Sequence, residues 1–283
     1  MTTEPPVIAA VDGSSHSLEA LDWAAHEAVR RGLALVVVHA RTPMPHAVRE
    51  TQRREAEELL TLCVRRVSRV APDLHPTTLT PMDYPSAAVT SLSRDASLVV
   101  VGSRGLGGFR SLLLGSDSMA IASMAKCPVV VVHGEPPEES RQETSSDIVV
   151  GVAADESSED VLAFAFATAA SRPGARLRIV HGWTMVSSML SGGPVFDRDA
   201  AAGAAERTLA ELTAGWREKY PQVEVVRESV GGSASRALVT ASATAALTVV
   251  GRRRGGESLG LGLSPVAQTT LGHALGPVAV VPC

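Results

Sequence analysis

The sequence contains one pattern of short valine-rich runs twice. Leu98-Val-Val-Val-Gly102 returns as Leu247-Thr-Val-Val-Gly251, and in both copies a proline that opens a further apolar run, Pro128 or Pro277, stands 26 positions after the glycine. One copy takes roughly 140 to 150 residues, which is the size of a whole domain and far above the length of a solenoid repeat. The repeat therefore predicts two copies of one domain in the chain.

A polar segment with prolines and without periodicity, residues 135–146, separates the two copies. Segments of this composition are typical of exposed linkers between domains. We therefore expect a first domain over residues 1–134 and a second domain over residues 147–283.

In each copy the apolar runs alternate with helical patterns, which is typical of βαβ units and of a parallel sheet covered on both faces. The predicted strands of the first half span residues 6–11, 34–39, 77–80, 97–101 and 129–132, and its helices lie near residues 16–31, 46–70, 84–94 and 116–125. The predicted strands of the second half span residues 148–152, 176–180, 223–228, 246–250 and 278–281. A longer loop with glycines and small polar residues is expected over residues 182–198.

Composition narrows the class of protein. Hydrophobic residues make up 45% of the 283 residues and aromatic residues only 3%, so the cores must consist of valine, leucine and alanine. A formal net charge of −4 gives no reason to expect nucleic acid or an anionic membrane as a partner. The cysteines Cys63, Cys127 and Cys283 form no C-x-x-C pair, which argues against a disulfide framework or a zinc site and fits a reducing compartment. Without a leader-like start or an apolar run of about 20 residues, we expect a cytoplasmic protein with no membrane span.

A glycine-rich loop follows the fourth predicted strand of the first half. Gly102, Gly105, Gly115 and Ser116 stand in the spacing G-x2-G-x9-G-S. Gly102 and Gly105 would allow positive φ and leave no Cβ between the backbone amides and a phosphate. Gly115 and Ser116 would begin the next helix, whose amides and dipole favour a second anion contact. A glycine loop without a ligand is the alternative, and the strand–loop–helix context favours phosphate binding.

Asp12 follows the first predicted strand, at the edge of the sheet where the glycine loop also lies. It could face a sugar or a bound Mg²⁺. It could equally cap the following helix, a role open also to the serines two, three and five positions further on. His39 and His181 close the second strand of each half, and we expect a structural role for both.

These motifs resemble the universal stress protein family, in a tandem arrangement that covers nearly all of both halves. The matching segments are Ala10-Val-Asp-Gly-Ser14, Val38-His-Ala40, the glycine pattern of residues 102–116, and Cys127-Pro-Val-Val-Val-Val132. The resemblance implies two Rossmann-like α/β domains, each an open five-stranded parallel sheet of order 3-2-1-4-5 flanked by helices. It also implies ATP binding and a dimer-like packing of the two halves through their last strands, or a homodimer of whole chains.

The resemblance further implies which residues bind the nucleotide. Asp12 would contact the ribose or Mg²⁺, and Ala40 would lie beside the adenine. The residues expected at the ATP are Ala10, Asp12, Ala40, Val101, Gly102, Gly105, Gly115, Ser116 and Asp117.

The second half departs from this pattern. At the same spacing, Arg254 replaces Gly105, Ser264 replaces Gly115 and Pro265 replaces Ser116, while Ala153 replaces Asp12 and Asp155 stands two positions later. Proline has no N–H group, so one phosphate donor is absent. We therefore expect one ATP per chain, bound in the first half. The arginines at residues 252–254 could bind an anion through their side chains, but a solvated basic turn is the favoured interpretation.

No P-loop motif occurs in the sequence. The pattern therefore favours an ATP-binding regulatory protein of the stress-response type, whose nucleotide state a protein partner would read. Two alternatives stay open. One is a slow ATPase or nucleotidyl-transferring enzyme of the same fold, and the other is a scaffold that binds no nucleotide.

Overall fold

The computed structural model describes residues 4–105, 114–134, 145–153, 158–183, 198–253 and 262–283. The first half contains strands β1 (Val7–Ala10), β2 (Leu35–Val38), β3 (Thr77–Leu79), β4 (Leu98–Gly102) and β5 (Val129–Val132), and helices α1 (Ser15–Arg31), α2 (His46–Val70), α3 (Pro85–Leu92) and α4 (Ser116–Met124). The second half contains strands β6 (Ile148–Gly151), β7 (Arg176–Trp183), β8 (Glu224–Gly231), β9 (Leu247–Arg252) and β10 (Val278–Pro282), and helices α5 (Ser158–Ala170), α6 (Arg198–Lys219), α7 (Ala234–Ser242) and α8 (Pro265–His273).

The ten strands form one sheet of order β3-β2-β1-β4-β5-β10-β9-β6-β7-β8. Within each half the strand neighbours are parallel, and the halves meet where β5 and β10 run antiparallel, with Val131 opposite Val278. The predicted α/β class and the order 3-2-1-4-5 are confirmed in the first half, and the second half repeats that order. Among the described residues, no helix is long and apolar enough to cross a membrane.

Small aliphatic residues build the core, as the composition requires. All five residues of β4 and all four of β5 are buried, because helices cover both faces of the sheet. At the outer edge, the three residues of β3 are exposed. The second half adds one aromatic cluster, in which the ring of the fully buried Phe166 stacks on Trp216 and Tyr220 with ring centroids 5.6 Å away in both cases.

Helix α1 begins at a serine cap and ends at a glycine. The Oγ of Ser14 accepts a hydrogen bond from the backbone N–H of Ser17 at 3.2 Å, and Gly32 takes the left-handed conformation with φ of 67°. Ser14 therefore caps the helix, and Asp12 does not.

Two predictions about the second half and its linker are wrong in part. Gly182 belongs to β7, which extends to Trp183 because it pairs with β8 over eight residues; residues 184–197 of the expected loop lie outside the described residues. At the end of the expected linker, Ser145 donates its N–H to the carbonyl of Thr244 at 2.7 Å, so this end is docked on the second half. Residues 135–144 lie outside the described residues.

An ion pair and a hydrogen bond connect the two halves. Glu27 on α1 is fully buried and contacts Arg30 and Arg31 of its own helix, and Arg172 of the second half reaches it at 2.7 Å. Arg252 is only 8% exposed, and its Nη2 donates to the carbonyl of Ala125 at 2.5 Å. The expected solvated turn is therefore wrong for Arg252, which lies at the end of β9 against the last turn of α4.

Acid should weaken the fold through its paired carboxylates. Burial alone would raise the pKa of Glu27, but Arg31 and Arg172 hold that pKa below its usual value, and the hydrogen bond from Arg176 lowers the pKa of Asp147. A lowered native pKa stabilises the fold above the unfolded-state pKa and loses this effect as pH falls. We expect the free energy of unfolding to change little from pH 7 to about 5 and to fall below about pH 4. Urea denaturation across this range would measure it, and a constant free energy below pH 4 would contradict the expectation.

Candidate functional site

A cavity of about 550 Å³ lies at the carboxyl ends of β1 and β4 in the first half. This is the switch point of the strand order, where open α/β sheets hold their ligands. The nine residues expected at a nucleotide all line it: Ala10, Asp12, Ala40, Val101, Gly102, Gly105, Gly115, Ser116 and Asp117. The structure thus brings them around one space, and their contacts with ATP stay a prediction.

Asp12 is held at the cavity by the turn that precedes α1. Gly13 follows it with φ of 90°, a conformation that favours glycine. The Oδ1 of Asp12 accepts from the backbone N–H of Ser14 at 3.0 Å and lies 2.7 Å from the Ser14 hydroxyl. This hydroxyl also lies 3.2 Å from the carbonyl of Arg104, so it ties the turn to the glycine loop. The carboxylate is therefore oriented before any ligand binds.

Gly102 and Gly105 allow the close approach of neighbouring atoms, and neither adopts the positive φ that a glycine would allow. A Cβ on Gly102 would lie 2.7 Å from the backbone carbon of His16, because α1 passes directly over β4. A Cβ on Gly105 would lie 2.5 Å from Oδ2 of Asp12. Gly102 therefore serves helix packing, whereas Gly105 leaves room for the carboxylate at the site.

Helix α4 begins at the cavity without a side-chain cap. Gly115 is its N-cap, with φ of −72° and ψ of 150°, and donates its own N–H to Ser103. The hydroxyl of the buried Ser118 donates to the carbonyl of Gly102 at 2.7 Å, which fixes the first turn of the helix to β4. The first N–H groups of a helix have no acceptor within it, and a glycine cap supplies none. The start of α4 therefore offers backbone donors to an anion.

Charged side chains of both signs line the cavity, which suits an anion bound together with a divalent cation. The Nε of Arg104 is buried, with no hydrogen-bond partner among the described residues, and Arg104 lines the cavity. Asp12 and Asp117 bring two carboxylates to the same space. No cluster of three or more potential metal ligands occurs among the described residues. A bound Mg²⁺ would therefore need phosphate oxygens as further ligands, which is how proteins usually hold this ion. Arg110, the other arginine of the loop, lies outside the described residues.

The opposite end of the cavity is apolar. The Nδ1 of His39 donates to the carbonyl of Val11 at 2.8 Å, a structural role, and Ala40 follows it. The residues that sequence reasoning missed lie here: Pro85 and Val89 of α3 and Ile121 of α4 close the wall. No local signal identified them, since an apolar helix residue reads the same whether it faces a core or a ligand.

The second half has a cavity of about 600 Å³ in the corresponding place. Its helix start differs, because the Oγ of Ser264 accepts from the N–H of Ala267 at 3.2 Å and Pro265 has no N–H. Ala153 stands in the position of Asp12, while Asp155 and Arg254 lie outside the described residues. The donors and the carboxylate that mark the first cavity are replaced here.

The fold and the two cavities define the class of protein: two doubly wound α/β domains in tandem, each with a pocket at the switch point of its strand order. The model of the universal stress protein family matches residues 5–133 and again residues 145–282, and the chain belongs to this family.

Relatives of similar length match nearly the whole chain. A universal stress protein of Mycobacterium tuberculosis is 34% identical over 286 residues, which cover 97% of this chain and 95% of that protein. One from Mycolicibacterium smegmatis is 32% identical over 291 residues, covering 99% and 97%. The crystal structure of a universal stress protein from Archaeoglobus fulgidus aligns with a TM-score of 0.72 at 18% identity, covering 98% of this chain and 96% of that one, which supports the fold.

Proposed function

We propose that the first half of the chain binds one ATP and that the protein acts as an ATP-binding regulator in the stress response. The observation that carries this proposal is the uncapped start of α4, which meets Arg104 and the pre-oriented Asp12 around one cavity. Backbone donors at a helix start, a half-buried arginine whose Nε is buried, and a glycine beside a carboxylate together suit a phosphate chain. The apolar end between Ala40 and Val89 suits the adenine.

The arrangement also suits Mg²⁺. Asp12 would share the ion with the phosphates, since Mg²⁺ is usually held by one or two carboxylates together with substrate phosphates. The ion would screen the repulsion between the phosphates and the carboxylate of Asp117 at the same end of the cavity.

A short path leads from this site to the contact between the halves, which supports a regulatory role. Ser103, beside the glycine loop, donates its N–H to the carbonyl of Val132 at 2.8 Å. The next residue, His133, places Nε2 2.8 Å from the carbonyl of Leu271 in the second half. ATP that prefers one arrangement of the loop would also favour one packing of the halves. We propose that a protein partner in the cytoplasm reads this state; whether whole chains also form a homodimer stays a prediction.

Stoichiometry and nucleotide identity test the proposal. We expect titration calorimetry on the full chain to give close to one ATP per chain, and mass spectrometry of nucleotide released from native protein to find intact ATP. A stoichiometry near two would contradict the assignment to the first half. Rapid multiple turnover would favour the enzyme, and the absence of any thermal shift with ATP would favour the nucleotide-free scaffold.

Changing Asp12 to asparagine separates the metal from the phosphate contacts. The variant Asp12→Asn keeps the size of the side chain and removes its charge, so we expect affinity for Mg²⁺–ATP to fall about 10- to 100-fold, the range typical of residues that support a metal. Affinity for ATP with excess chelator should fall much less. The exposed Asp73→Asn is the matched control. An equal loss with and without Mg²⁺ would show that Asp12 does not act through the ion.

A further inference from the structure

The second cavity keeps one wall of the first. Its His181 places Nδ1 3.1 Å from the carbonyl of Val152, the same contact that His39 makes in the first half. Val250 lines it at the end of β9, as Val101 does at the end of β4. The wall formed by the strand ends, which the proposed function assigns to base and sugar, is therefore present twice.

The opposite wall has lost four polar positions of the first cavity, although the hydroxyls of Ser158 and Ser264 still line it. Ala153, Pro265, Val266 and Ala267 line the second cavity where the first half has Asp12, Ser116, Asp117 and Ser118. Arg253 is the one charged side chain among its described lining residues. Burying a phosphate against such a wall would cost far more than burying a neutral group.

The helix start cannot offset this cost. In α8 the Ser264 hydroxyl already accepts the N–H of Ala267, and Pro265 contributes no donor. Compared with α4, helix α8 therefore offers two fewer N–H donors to a ligand. One is occupied by the Ser264 hydroxyl, and the other is absent because Pro265 has no N–H.

The second cavity has nevertheless stayed open. Leu238 is fully buried, and its Cδ1 lies 2.7 Å from where a Cβ on Gly151 would stand. In the first half the corresponding residues are Val89 and Ala10. The second half thus pairs a larger residue, Leu238, with a smaller one, Gly151, and the packing beneath the cavity is kept. The volume is about 600 Å³, within the range of small-molecule sites.

We propose that the second cavity binds an uncharged purine nucleoside, which is what remains of ATP when the phosphates are removed. The ligand class rests on the proposed function, because the retained wall is the one assigned there to base and sugar. The chain would then hold ATP in one half and a neutral nucleoside in the other.

Cys283 provides a reporter inside this cavity. It lines the cavity, and its Sγ donates to the carbonyl of Arg252 at 3.3 Å. Burial raises the pKa of Cys63 to about 11 and of Cys127 to about 12, so both thiols stay protonated near pH 8. The thiolate is the reactive form, so alkylation of the native protein at this pH should report Cys283 among the three cysteines of the chain.

The experiment measures the rate at which N-ethylmaleimide modifies Cys283, read by peptide mass spectrometry. The full chain carries Gly115→Ser and Ser116→Pro, which remove the helix-start donors of the first site. We expect adenosine at ten times its Kd to slow the modification about tenfold, and ATP at the same concentration to leave the rate within about twofold. No protection by adenosine, or equal protection by ATP, would overturn the proposal.

A cavity-filling variant locates the ligand. Ala153 is exposed at the end of β6, so Ala153→Trp can fill the mouth of the cavity without burying the new ring in the core. We expect this variant to lose the protection by adenosine, and Ala47→Trp, at an exposed position of α2, to keep it. Protection retained by Ala153→Trp would overturn the proposal. A wild-type chain that binds no ATP, but whose Cys283 adenosine still protects, would refute the proposed function of the first half and support the second site.

Discussion

Replacing Gly115 with serine and Ser116 with proline should remove ATP binding from the first half and leave its fold intact. This double substitution gives α4 the helix start that α8 already has. The new serine would accept a helix-start N–H, as Ser264 does for Ala267 at 3.2 Å, and the proline would remove another N–H. Hydrogen bonds to charged groups contribute about 1.5 to 3 kcal/mol each, so losing two should weaken binding at least about 100-fold.

The backbone is already suited to both substitutions. Gly115 has φ of −72° and ψ of 150°, close to the −65° and 157° of Ser264. A Cβ there would have its nearest contact at 3.5 Å, an ordinary distance. Proline is favoured at the first position of a helix, and a serine cap stabilises by about 1 kcal/mol. The melting temperature should therefore not decrease.

Titration calorimetry with ATP and thermal unfolding check the result together. Gly115→Ala is the matched control, since it adds the Cβ without a hydrogen-bond acceptor, and we expect its affinity to stay within about threefold of wild type. Unchanged ATP binding in the double variant, with the fold intact, would show that the start of α4 does not hold the phosphates.

Glu27→Gln should produce the largest loss of stability among single substitutions at polar residues of the contact between the halves. The carboxylate is fully buried and faces Arg30, Arg31 and, across the two halves, Arg172. Arg172 is itself only 9% exposed. Removing the negative charge leaves buried positive charge uncompensated, which typically costs about 3 to 5 kcal/mol.

Urea denaturation with a matched control measures this loss. Glu50 pairs with Arg53 on α2, where both side chains are exposed, so Glu50→Gln should leave the free energy of unfolding close to that of the wild-type protein. Adding Arg172→Met to Glu27→Gln should recover part of the stability, because the uncompensated guanidinium is then absent. Equal effects of Glu27→Gln and Glu50→Gln would show that the cluster does not couple the halves.

Much of the fold could be read from local pattern. Strand β5 and helix α2 begin and end where the apolar runs and the helical periodicity predicted, because buried valine runs and amphipathic faces are properties of neighbouring residues. The end of β7 could not be read in this way. Gly182 and Trp183 resemble the start of a loop, and only their pairing with β8 makes them strand.

The candidate site, like the fold, was predictable only where it depends on local sequence. The glycine spacing and Asp12 pointed to one edge of the sheet, and the structure places these residues around one cavity. The reason for each glycine was not readable, since the contact at Gly102 comes from α1 and the contact at Gly105 comes from Asp12. The apolar wall contributed by Val89 was missed, because it depends on how α3 packs over the strand ends.

The sequence by itself determined the repeat, the parallel α/β class and the difference between the two helix starts, because each depends on residues close together in the chain. Only the tertiary structure decided which charges are buried between the halves. Arg172 meets Glu27 across 145 positions, and Arg252 meets the carbonyl of Ala125 across 127. In the sequence these side chains look like ordinary surface charges, and pairing of β5 with β10 is what brings their partners within hydrogen-bonding distance.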